Sequence, residues 1–124
     1  MANASGVVLV VEDDAAIRDI MKEELESQGL TVLGASSGEE SLVLLETRPV
    51  DVVIMDLRMP GMDGIETSLT IKGRFPALPI ILCTVCDEWE VRSFIGREIQ
   101  SYLPKPFTLR QLNETVQTAL AVSR

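Results

Sequence analysis

The sequence predicts an α/β fold, a single doubly wound five-stranded parallel sheet built from five βα units. Three observations carry that reading. Short apolar runs alternate with longer stretches of helical period along all 124 residues. The run Val52-Val53-Ile54-Met55 has no polar alternation, which is how a strand buried on both faces reads. At four points a capping pattern opens a helix: Ser37 with Glu40, Asp63 with Glu66, Asp87 with Glu90, and Thr108 with Gln111.

Taken in order, Val7 to Val11 is a continuous apolar run and the first strand, stopping at Glu12-Asp13-Asp14. From Ala15 the period changes, and Ile17, Ile20, Met21 and Leu25 fall on one helical face. Gly29 ends that helix. Thr31 to Ala35 is a short second strand. The helix opened by Ser37 turns Leu42 and Leu45 inward, and Pro49 ends the region. Strand three is Asp51 to Met55, followed by Asp56 and a loop with Pro60 and Gly61. The next helix places Ile65, Leu69 and Ile71 on one side and closes at Gly73. Pro79 to Cys83 is strand four. A helix opened by Asp87 carries Val91, Phe94 and Ile95. Gln100 to Leu103 is strand five, and the last helix sets Leu109, Leu112, Val116 and Ala119 along one stripe. Alternation at this spacing implies right-handed crossovers and helices on both faces of the sheet. No repeat or internal linker appears, so residues 1–124 read as one domain.

Composition narrows the function. Hydrophobic residues make up 46% and charged residues 24%, a globular balance. A formal net charge of -8 argues against gripping nucleic acid or an anionic membrane by bulk charge. No apolar run approaches the roughly 18 residues of a membrane span, and Val7 to Val11 is too short for a signal-peptide core. The expected location is the cytoplasm. With no histidine, triads and metal sites that need this chain's own histidine are excluded.

Chemistry gathers at the strand ends. Glu12 and Asp13 follow strand one, Asp56 strand three, Thr84 strand four and Lys105 strand five. In a parallel sheet these lie along one edge, where open α/β sheets bind ligands. Three carboxylates there repel and raise the proton affinity of at least one. A hard divalent cation relieves the repulsion, and Mg²⁺ prefers oxygen ligands. A lysine opposite the acids neutralises a further anion, and the Thr84 hydroxyl can bond to one. The set suits Mg²⁺ plus a phosphoryl group on a carboxylate.

Four motifs in order, Val10-Val11-Glu12-Asp13-Asp14, Met55-Asp56-Leu57-Arg58-Met59-Pro60-Gly61-Met62-Asp63-Gly64, Thr84, and Tyr102-Leu103-Pro104-Lys105-Pro106-Phe107, resemble the receiver domain of two-component response regulators, over essentially the whole chain. The resemblance implies a CheY-like, flavodoxin-like fold with strand order 2-1-3-4-5. It implies that Asp56 takes a phosphoryl group from a phosphohistidine of a sensor histidine kinase or histidine phosphotransfer protein. Asp13 would bind Mg²⁺ directly, Glu12 would assist through water, and Asp56 and the Arg58 carbonyl would complete the ligands. Lys105 would contact the phosphoryl oxygens, Thr84 would move toward them, and Tyr102 would rotate inward as the switch aromatic. The Lys105–Pro106 bond is expected to be cis. The chain would then be a signalling phosphoacceptor that catalyses only its own phosphorylation and dephosphorylation. Its output would pass through the face made by the fourth helix, fifth strand and fifth helix, to an output domain or a homodimer. A stand-alone receiver and one cut from a longer regulator or hybrid kinase both fit. Three departures mark this chain. Val85 stands where a small residue is usual, Glu98-Ile99 stands where Gly-Ala is common, and the acidic pair is Glu-Asp.

Other readings weigh less. Cys83-Thr84-Val85-Cys86 has the spacing of a redox motif, but Cys83 falls in a strand and Thr84 is already accounted for. Two cysteines without histidine are too few for the usual zinc sites. Trp89 reads as partial core or surface. A phosphatase of the haloacid-dehalogenase type needs a second acid two residues after the nucleophile, where this chain has Arg58. A flavodoxin-like carrier needs a phosphate cradle after strand one, where Glu12-Asp13-Asp14 would repel a phosphate. A degenerate receiver that only binds a partner is disfavoured by the complete set of functional residue types.

Overall fold

The computed structural model describes residues 6–57, 64–84 and 101–122, without the side chains of Thr84, Ser101 and Val122. Among these residues the order is β1 (Val7–Val11), α1 (Ala15–Ser27), β2 (Thr31–Ala35), α2 (Gly38–Thr47), β3 (Val52–Asp56), α3 (Gly64–Arg74), β4 (Ile80–Thr84), β5 (Ser101–Pro104) and α4 (Leu109–Val122). All neighbouring strands are parallel, in the order β2-β1-β3-β4-β5. The expected helix from Asp87, with Trp89, Val85, Cys86, Glu98 and Ile99, lies outside the described residues.

The period-2 geometry of strands sorts the core into two layers. Val8, Val10, Ile54, Ile81, Cys83 and Leu103 face α1 and α4, meeting Met21, Leu25, Leu112, Val116 and Leu120. Leu9, Val11, Val53, Met55, Ile80 and Leu82 face α2 and α3, meeting Leu45 and Ile71. β3 is buried along its whole length, as its unbroken apolar run implied.

Local signals hold the elements in place. Asp14 caps α1 by accepting from the Ala16 and Ile17 N–H groups at 2.9 and 3.2 Å. Gly29 takes φ +89° to end that helix, a conformation that needs no Cβ. Ser37 accepts from Glu40 N–H, while the Glu40 carboxylate reaches back one residue further than a standard box, to Ser36 N–H. Thr108 and Gln111 form a full reciprocal box.

Some expectations shift. β3 and β4 each begin and end one residue later than expected, and β5 ends one residue later, because ladder pairing continues onto Asp56, Thr84 and Pro104. Asp51 precedes β3, and its carboxylate accepts from Val7 N–H at 2.7 Å. Ile17 and Ile20 are 37% and 54% exposed, and Leu69 and Leu109 also reach solvent. The inward stripe of α1 is Arg18, Met21 and Leu25, rotated one residue from the stripe that hydrophobicity alone picks out. Leu120, outside the expected stripe of α4, is fully buried. Gly73 lies inside α3, which runs to Arg74.

α3 approaches β3 closely. Gly64 N–H donates to Leu57 O at 3.1 Å, and a Cβ at Gly64 would lie 2.3 Å from Asp56 O and 2.6 Å from Leu57 Cα. Only glycine fits against that backbone. On the same helix, Ser68 Oγ is buried with no hydrogen-bond partner among the described residues. Gly64→Ala is expected to lower unfolding stability by about 1–3 kcal/mol or more through overpacking. Ser68→Ala should raise it by roughly 1 kcal/mol, because it removes a desolvated hydroxyl. Urea unfolding midpoints of the two variants check both signs.

Candidate functional site

The carboxyl ends of β1 and β3 lie side by side because Val11 pairs with Met55 in register. The chain therefore leaves both strands at one edge with an acid in hand. Glu12 N–H is still tied to the sheet, donating to Ala35 O at 3.0 Å. Glu12, Asp13 and Asp56 each offer a carboxylate oxygen, all within 4.8 Å of one another. Glu12 and Asp56 are buried and Asp13 is exposed, so the cluster has a solvent-facing side.

Lys105 arrives from the loop after β5. Its Nζ lies 3.0 Å from Glu12 Oε1 and 3.5 Å from Asp56 Oδ1, with its side chain mostly buried. The Lys105–Pro106 peptide is cis. Asp14, third in the acidic run, is turned away to cap α1, and its N–H donates to Glu12 Oε2 at 3.3 Å.

These charges shift one another. Burial pushes the Glu12 carboxyl up from 4.5 to about 7, and the neighbouring Asp56 charge pushes the same way, against the hydrogen bond from Lys105. For Lys105, burial pulls the ammonium down. The Glu12 hydrogen bond and the charges of Asp56 and Glu12 outweigh burial, so its pKa is raised. Cys83, beside Asp56 in register, is pushed up to about 12 by burial first of all, which leaves it an inert core thiol rather than a redox centre.

Three hard oxygen donors at this spacing suit a metal ion of oxygen preference, since ligand oxygens around a small octahedral cation lie about 3–4 Å apart. An anion brought to Asp56 would meet the Lys105 ammonium at the same place. Of the residues expected from the sequence, Glu12, Asp13, Asp56 and Lys105 are thus gathered at one edge. Thr84 ends β4 opposite Pro104, and its side chain lies outside the described set. Arg58 also lies outside it. Tyr102 is half-buried in β5, opposite Leu82 and packed on the core layer that faces α2 and α3.

A family model of the response regulator receiver domain matches residues 8–117. The chain belongs to that family. The receiver is 37% identical over 117 residues to the DNA-binding transcriptional regulator NtrC of Salmonella typhimurium, covering 94% of this chain and 25% of NtrC. It thus spans about a quarter of the length of the curated NtrC proteins it matches. A CheY-like receiver domain protein from Methanospirillum hungatei superposes with a TM-score of 0.90 at 27% identity, covering 97% of each chain. The response regulator TrrA from Thermotoga maritima, solved in complex with Mg²⁺ and BeF, gives 0.84 at 34% identity, over 93% of this receiver and 99% of TrrA. The receiver is a signalling module. No helix among its described residues is long and apolar enough to cross a membrane.

Sequence reasoning missed two residues at the site. Arg18 donates from Nη1 to the Glu12 carbonyl at 2.7 Å, and Gly64 abuts the Asp56 carbonyl. Gly64 was legible only as part of the helix start between Asp63 and Glu66. Arg18 shares the helical face of Met21 and Leu25, but a charged residue on an apolar stripe gave no sign of its target.

The raised Glu12 value fixes a pH dependence for the metal-free receiver. Unfolded Glu12 titrates near its usual value and folded Glu12 near 7, so between them the folded state holds a proton that the unfolded state lacks. Stability contributed by protonated Glu12 is therefore lost as pH rises across that window. Glu12→Gln mimics the protonated form. Its melting temperature relative to the parent should rise from pH 5 to pH 8, as read by thermal unfolding in chelator.

Proposed function

We propose that residues 1–124 act as one phosphoacceptor receiver of a two-component or phosphorelay system, with Asp56 as the acceptor. The observation that carries this reading is the pairing of a buried acid with a partly buried cation. Asp56 ends β3 beside two further carboxylates, and Lys105 Nζ lies 3.5 Å from its Oδ1. A lone strand-end acid needs neither.

In this reading an Asp56 carboxylate oxygen attacks the phosphorus of a partner phosphohistidine. The new P–O bond forms as the P–N bond breaks, and the imidazole leaves and takes up a proton. Lys105 holds the phosphoryl oxygens and keeps charge near Asp56 balanced. Asp13, Glu12, Asp56 and the Arg58 carbonyl would hold Mg²⁺, which when bound offsets negative charge on the transferring group. The donor set fits, because Glu12, Asp13 and Asp56 supply only hard oxygens. The receiver catalyses its own phosphorylation and dephosphorylation and no other reaction. Partners would be a sensor histidine kinase or a histidine phosphotransfer protein, in the cytoplasm. The longer relatives support an output domain elsewhere in the same protein or in a partner.

Incubation with acetyl phosphate and Mg²⁺ should add one phosphoryl mass to the intact protein, and Asp56→Asn should abolish it. An adduct that persists in Asp56→Asn removes Asp56 as acceptor.

The phosphoryl group would add roughly -1.5 to -2 charges beside Thr84 and Lys105. Thr84 would donate to it, and the space vacated would let Tyr102 turn inward and alter the face of the predicted fourth helix, β5 and α4. The half-buried position of Tyr102 in β5 supports such a rotation. Amide NMR with beryllofluoride should then shift resonances around Tyr102 as well as around Asp56. Shifts confined to the surroundings of Asp56 leave the acceptor but remove the switch.

A further inference from the structure

We infer that Arg18 is a positioning residue for the metal-binding carboxylates, and that Gly34 on β2 is the slot that lets it reach them. The inference rests on the Mg²⁺ reading of the site and adds residues that hold no metal themselves. Glu12 lies just beyond β1, where the sheet stops dictating the backbone. Its two peptide groups are pinned from opposite sides. Glu12 N–H donates to Ala35 O at 3.0 Å, and Glu12 O accepts from Arg18 Nη1 at 2.7 Å. The second bond fixes the Glu12–Asp13 peptide plane, and with it the direction in which the Asp13 carboxylate leaves the sheet. A guanidinium donor on a carbonyl is a strong charge-assisted bond with fixed geometry.

Arg18 is placed for this by the helix start. Asp14 caps α1 through its side chain, and its carbonyl accepts the Arg18 backbone N–H at 2.9 Å. Arg18 therefore stands one turn in, on the inward face with Met21 and Leu25. Its stem must cross β2 to reach Glu12. At the crossing stands Gly34, whose added Cβ would lie 3.2 Å from Arg18 Cδ, 3.5 Å from Nε and 3.6 Å from Cγ. A larger side chain there would lift the arginine off its path. Glycine in a strand interior otherwise weakens the strand, and it often marks close approach of another group. Residues that orient metal ligands without touching the metal typically change affinity by about 10- to 100-fold when removed.

The test uses the whole chain, with Mg²⁺ titrated by calorimetry and unfolding measured without metal. Arg18→Ala should weaken Mg²⁺ binding about tenfold or more. Gly34→Val should weaken it comparably while leaving the unfolding midpoint equal or higher, because a β-branched residue suits a strand. A purely structural role for either residue would not split affinity from stability in this way. In the double variant, Gly34→Val should add nothing to Arg18→Ala, since both act through one contact. Mg²⁺ affinity unchanged in either single variant, or additive losses in the double, overturns the inference while the metal reading stands. A parent chain that binds no Mg²⁺ overturns both.

Discussion

Burying a carboxylate at the end of the most enclosed strand is the constraint around which this receiver is arranged. β3 is covered on both faces, so its last residue, Asp56, enters the edge of the sheet with little access to water. Isolated buried charge is costly, and a second buried acid, Glu12, stands beside it. Lys105 answers both at once, at 3.0 Å from Glu12 and 3.5 Å from Asp56. One cation against three acids leaves an excess of negative charge. Glu12 absorbs part of it by holding its proton up to about pH 7. A site of this kind is stable enough to fold and still attracts further positive charge, which is the condition for a cation to bind reversibly.

Holding the charges together falls to the backbone around them. Gly64 lets the start of α3 lie directly against the Asp56 carbonyl, and its N–H returns to Leu57. Asp14 spends its carboxylate on the first turn of α1 rather than joining the cluster. The Glu12 peptide is tied to β2 on one side and to Arg18 on the other. Each of these contacts costs side-chain freedom at a strand end, and together they leave the acids little room to relax apart. Cys83, next to Asp56 in register, stays a packed core residue on the layer facing α1 and α4.

Much of this was legible from the chain. Unbroken apolar runs of about five residues, bounded by turn signals, read as strands of a covered sheet, and their alternation with capped helical stretches implies a parallel sheet. From that alone the acids after β1 and β3 and the lysine after β5 fall on one edge, as found. The reciprocal box of Thr108 and Gln111 and the positive φ at Gly29 were likewise readable, because capping is local chemistry between residues a few positions apart. Strand ends were off by one residue at β3, β4 and β5, since ladder pairing runs one residue past the last apolar position of each run.

What the sequence by itself determined was therefore the order of elements, the fold class and the composition of the polar edge. Tertiary structure decided which of two neighbouring helical faces is buried. Periodicity offered Ile17, Ile20, Met21 and Leu25 on α1; Met21 and Leu25 are buried, but the helix is set by where it docks on β2, and that turns Arg18 inward and both isoleucines out. It also decided how closely Glu12, Asp13 and Asp56 converge, and that only glycine fits where α3 meets Asp56. The reason is common to all of these. Periodicity and capping depend on residues within a turn of each other, whereas facing, proton affinity and close approach depend on groups brought together from strands and helices far apart in the chain.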